Sequence, residues 1–89
     1  MSAEVMNEAM RILLTVCDVP LVWTPVEHAP IGVTAWQGYA AGLSGEPAWM
    51  VSVARWDGRA IAVVSHGPTI VHAPEDVAAR LLAMAERTT

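Results

Sequence analysis

The side chains in this sequence best equipped for nucleophilic or metal-binding chemistry are Cys17, His28, His66 and His72. Cys17 falls on the apolar flank of a helical stretch. A reactive thiolate needs an accessible, positive setting, and no histidine or arginine is its close sequence neighbour. It reads as a small core hydrophobe. His66 and His72 flank a turn and would not meet on adjacent strand positions, whereas zinc ligands come as short-spaced pairs. His28 stands alone before Ala29-Pro30. The expectation is a solvated turn histidine at 28 and 66, and a helix-entry residue at 72.

The carboxylates offer no acid–base couple either. Asp57 is accounted for as a turn residue, and Glu75 and Asp76 as complements to a helix dipole. Gly42-Leu43-Ser44-Gly45 lacks the length and the lysine of a phosphate-cradling loop. These residues therefore predict no catalytic site, no metal site and no cofactor. The chain is read as a non-enzyme.

Stepping outward to the whole chain, its 89 residues suffice for one small α+β domain spanning 1–89. With 54% hydrophobic and 16% charged residues, it is less polar than a small protein with so much surface should be. That excess predicts apolar surface covered by another subunit or a partner. The net charge is −4, with nine acids against five arginines and no lysine. A nucleic-acid binder needs a basic patch, and the arginines at 11, 55, 59, 80 and 87 are scattered, so nucleic acid is not an expected partner. The absence of lysine and phenylalanine, whose codons are rich in A and T, points to a GC-rich source.

A single cysteine fits a reducing compartment. The apolar run Ile12–Cys17 follows acids rather than a basic stretch, and it is too short to span a membrane. Cytoplasm is the expected location, with no membrane partner.

Ser2 to Asp18 reads as a helix, with Ser2 as N-cap and Glu4 in its first turn. Met6, Met10, Leu13 and Cys17 form one apolar flank, and Val5, Ala9, Ile12 and Val16 another. An arc this wide predicts packing on a sheet and on something else besides. Asp18-Val19-Pro20 ends the helix. Leu21–Glu27 reads as a strand that Pro25 consigns to an edge. Residues 31–43 are ambiguous. Val33, Thr34, Trp36 and Tyr39 favour a strand, but Thr34-Ala35-Trp36-Gln37 matches a capping box. The strand is preferred, followed by a loop through Pro47.

Trp49–Trp56 and Arg59–Ser65 flank Asp57-Gly58, the preferred pair for a type I′ hairpin. That turn sets the register from Trp56 opposite Arg59 to Met50 opposite Ser65. One face then collects Trp49, Val51, Val53, Ala60, Ala62 and Val64. The other collects Met50, Ala54, Trp56, Ile61 and Val63, together with Ser52, Arg59 and Ser65. Neither face is clearly polar, so both need cover. Thr69–His72 adds a short strand. Pro74-Glu75-Asp76 opens a second helix with an apolar stripe of Val77, Ala78, Leu81, Leu82 and Ala85, and Asp76 stands one turn from Arg80.

The predicted fold is thus a two-layer α+β domain. An N-terminal helix precedes a mostly antiparallel meander of three to five strands and a C-terminal helix, with both helices on one face. The expected function is a non-enzymatic protein-interaction or regulatory module, forming a homodimer or binding another protein. A phage or mobile-element accessory protein that inhibits a host complex is one specific form of it. Its contact face is Met50, Ala54, Trp56, Arg59, Ile61 and Val63. The alternatives are a small-ligand binder or minor enzyme with a helix–sheet pocket lined by tryptophans and one histidine, and a structural subunit of a larger assembly.

Overall fold

The computed structural model describes residues 3–88, with side chains from residue 8 onward. Ser2, read as the helix cap, lies outside the described residues. Helix α1 (Ala3–Thr15) passes into a 3₁₀ turn at Val16–Asp18. The Thr15 hydroxyl donates back to the Arg11 carbonyl at 2.6 Å, and the Val19 N–H reaches the Val16 carbonyl at 3.2 Å. Pro20, which has no N–H to offer, follows at once.

Five strands come next: β1 (Val22–Pro25), β2 (Val33–Ala40), β3 (Trp49–Trp56), β4 (Arg59–His66) and β5 (Thr69–His72). They form one sheet in the order β1-β2-β3-β4-β5, and every pair is antiparallel. Helix α2 (Glu75–Thr88) closes the chain. The predicted two-layer helix–meander–helix architecture is the one observed, at the upper end of the expected strand number.

The hairpin between β3 and β4 has the expected register, from Trp56 opposite Arg59 through Met50 opposite Ser65. Asp57 (φ 53°) and Gly58 (φ 72°) are both left-handed, as a type I′ turn requires. Residues 33–40 are strand, so the ambiguity of 31–43 resolves as preferred. The capping-box pattern at Thr34 loses because β2 pairs along its whole length with β3 and along half of it with β1. Those ladder bonds, with Trp36 buried beneath them, outweigh a local cap.

Both helices pack on one face. Ile12 and Val16 from the α1 segment and Ala78, Leu81, Leu82 and Ala85 from α2 are buried against Trp36, Val51, Val53, Ala62 and Val64 of the sheet. Of the two flanks read on the first helix, the one carrying Ile12 and Val16 faces inward, while on the other Met10 is exposed, Leu13 half-buried and Cys17 packed at the edge of the core. Arg55 grips Glu86 through two contacts, Nη2 to Oε1 at 2.8 Å and Nε to Oε2 at 3.3 Å, tying the end of α2 to β3. Asp76 and Arg80 are not joined by an ion pair. The one recorded among the described residues is Arg55–Glu86.

Candidate functional site

Strand register determines which side chains share the outer face of the sheet. Four rows cross it, each reading from strand to strand. The first is Val22, Tyr39, Met50, Ser65 and Ile70. The second is Thr24, Gln37, Ser52, Val63 and His72. The third runs through Ala35, Ala54 and Ile61, and the last holds Val33, Trp56 and Arg59. All six residues expected on the contact face therefore do share one face.

No element of the described chain covers this face. β1 extends the sheet at its edge and does not fold over it. Large apolar side chains are left in the open: Met50 is 57% exposed, Trp56 53%, Ile61 48%, Tyr39 51%, Val22 70% and Ile70 66%. Ala54 and Val63 are half-buried among their neighbours, and Arg59 is exposed at the hairpin end. Val22, Tyr39 and Ile70 were not in the expected set. The alternation along β2 carried the signal for Tyr39, once that segment is taken as a strand.

The face has relief. On this face lies a trough of about 190 Å³, lined by Ala35, Ser52 and Ala54 and by Val26, Gln37, Ile61 and Val63. The small side chains among them leave room for a bulky one from outside. None of the five strands contains an aspartate or glutamate. The acids sit on the helices, connections and turns, so an otherwise acidic protein presents one face free of carboxylates, with Arg59 at its end.

The residues with chemical potential are dispersed. His28 is exposed in the β1–β2 connection, His72 lies on the outer face, and His66 lies on the helix side. The reading of His66 as a solvated turn residue is overturned: it is the last residue of β4 and stacks on Trp49, its register partner, with ring centroids 4.0 Å apart. Its Nε2 is buried without a hydrogen-bond partner. Cys17 is half-buried beside a cleft it shares with Arg80 and Arg87, an electropositive setting that sequence neighbours did not reveal. Among the described residues, that cleft is lined by no histidine or carboxylate. Among the described residues no group of three His, Cys, Asp or Glu side chains is placed to hold a metal ion. No described helix is long and apolar enough to cross a membrane.

A larger cleft, of about 460 Å³, opens on the helix side between α1 and the sheet end. Glu8, Arg11, Ile12 and Thr15 line it from α1, and Glu46, Pro47, Trp49 and His66 from the other side, so two carboxylates share the cleft with His66. It is concave, the shape small-molecule sites take, whereas the outer face is broad and open.

Comparison with protein families, with curated proteins and with solved structures finds no match to this chain.

Proposed function

We propose that this chain is a non-enzymatic protein-interaction module that works through the outer face of its sheet. The observation that carries the reading is the uncovered apolar field of Met50, Trp56, Ile61, Tyr39, Val22 and Ile70 on a face without a single acid. The exposed apolar side chains flank a largely polar row of Thr24, Gln37, Ser52 and His72, and a sheet face with so many large apolar groups in the open marks an association site. The module acts by binding, in the cytoplasm, and inhibition of a partner complex is the form its regulation would take.

Substituting Trp56 by alanine tests this. Half of the Trp56 side chain is already in solvent, so its loss should leave the fold intact while weakening association. A Trp56→Ala protein that unfolds would instead make Trp56 part of the stabilising core, and the reading would fall.

A second reading has one specific observation behind it. The helix-side cleft brings Glu8, Arg11 and Glu46 together with Trp49 and His66, a set of charged and aromatic side chains that a small polar molecule could engage. On this reading the chain binds a small ligand there. A saturable rise in melting temperature with metabolites, lost in His66→Phe, would favour it over the first.

A further inference from the structure

We propose that the occupant of the outer face is a second copy of this chain, packed sheet to sheet about a two-fold axis to make a four-layer α-β-β-α dimer. The inference rests on the interaction reading of that face and names its partner.

Charge is the first argument. Two copies of a −4 protein repel wherever carboxylates meet. The outer face is the broad surface built from acid-free strands, with Arg59 at its corner and Asp57 at the adjacent turn. A copy docking there keeps its acids on the far side or at the rim. A strongly basic partner, which an acidic protein would be expected to recruit, finds no carboxylate on this face to pair with.

Extent is the second argument. Three strands of eight residues and two of four make the face. At about 3.3 Å per residue and 4.8 Å between strands, this is roughly 500 Å² in flat projection. Side-chain relief raises the accessible area above the projection, toward the ~800 Å² per partner of a standard stable interface.

Shape is the third. A two-fold interface must be self-complementary, each copy offering both the projecting part and its receptacle. This face does so. The Tyr39–Met50 row and Trp56 project, and the trough lined by Ala35, Ser52 and Ala54 lies on the same face. Sheets so packed lie about 10 Å apart at an angle near −30°.

The experiment is light-scattering mass after size exclusion, over a wide range of concentration, on the wild type, Ile61→Glu and Leu14→Glu, with circular dichroism of each. Ile61 and Leu14 are both exposed, one on the outer face and the other on α1. The expected result is a wild-type mass twice the 9.5 kDa of the chain. Ile61→Glu should dimerise about thirtyfold more weakly or worse, the equivalent of ~2 kcal/mol. Leu14→Glu should dimerise as the wild type does. Met50→Glu is the parallel variant if Ile61→Glu loses its native circular dichroism.

Binding of the dye ANS to the same samples separates two kinds of failure. A wild-type monomer that binds ANS, with binding lost in Ile61→Glu, overturns the second copy and leaves the face open to another protein. A dimer that survives both outer-face substitutions overturns the proposal and the interaction reading together. So does a monomer whose dye binding ignores them.

Discussion

The indole of Trp23 lies against Gly38, its register partner on the neighbouring strand, so closely that a Cβ on Gly38 would stand 2.9 Å from Cζ3 of the ring. Glycine weakens a strand interior by entropy and by the missing side chain, and here the missing side chain is the reason for it. The edge strand is held down by an aromatic laid across the gap. Gly38→Ala should therefore destabilise the fold by about 1–3 kcal/mol, as overpacking does, despite alanine's smaller entropic penalty. Urea denaturation reads the effect. A Trp23→Leu background should shrink the penalty, and a Gly38→Ala protein as stable as the wild type would contradict the contact.

The tryptophans divide by face. Trp36 is 7% exposed under the helices, and Trp56 is half in solvent on the other side. Trp36→Ala should cost about 3–5 kcal/mol, the usual loss for a large buried aromatic. Trp56→Ala should cost the isolated chain under about 1 kcal/mol, as a surface substitution does. Thermal melts of the two variants side by side, at low concentration, check this contrast.

The hairpin was the most legible part of the chain, and for a physical reason. Asp57-Gly58 accepts two left-handed residues in succession, and that one local preference propagates by pairing through all of β3 and β4. Gly58→Ala should cost about 1 kcal/mol, since alanine pays for the left-handed conformation glycine adopts freely. Chemical denaturation of that variant gives the number directly.

Other features depended on contacts that local pattern does not carry. Residues 33–40 satisfy a helix cap and a strand equally well in isolation, and pairing with strands on both sides decides between them. The inward flank of α1 could not be chosen from periodicity, because both flanks are apolar. His66 was misjudged through its neighbours Gly67 and Pro68, which do form a turn. Extending the hairpin register one step past Met50–Ser65 would have set it against Trp49. The proximity of Arg80 and Arg87 to Cys17 joins opposite ends of the chain, and no sequence spacing reports it. The candidate face itself was legible from the register of one hairpin. That the rest of the chain leaves it bare was not.

The Arg55–Glu86 pair is bidentate but substantially exposed, with side chains 47% and 38% accessible. Its worth should be correspondingly small, about 0.2–1 kcal/mol in a double-mutant cycle with Arg55→Ala and Glu86→Ala. The coupling should fall further at high salt, where exposed charges are screened. A coupling energy that salt leaves unchanged would contradict this account of the pair.

Two methionines offer the most direct test of the outer face as the place where this protein meets its partner. Met10 on α1 and Met50 on β3 are almost equally exposed, at 58% and 57%, on opposite sides of the molecule. The measurement is hydroxyl-radical footprinting of both, by mass spectrometry, in dilute and in concentrated protein. The account predicts that Met50, on the same face as Trp56, becomes protected as concentration rises while Met10 is oxidised as before. Protection of Met10 with Met50 left open would move the interface to α1 and contradict the account.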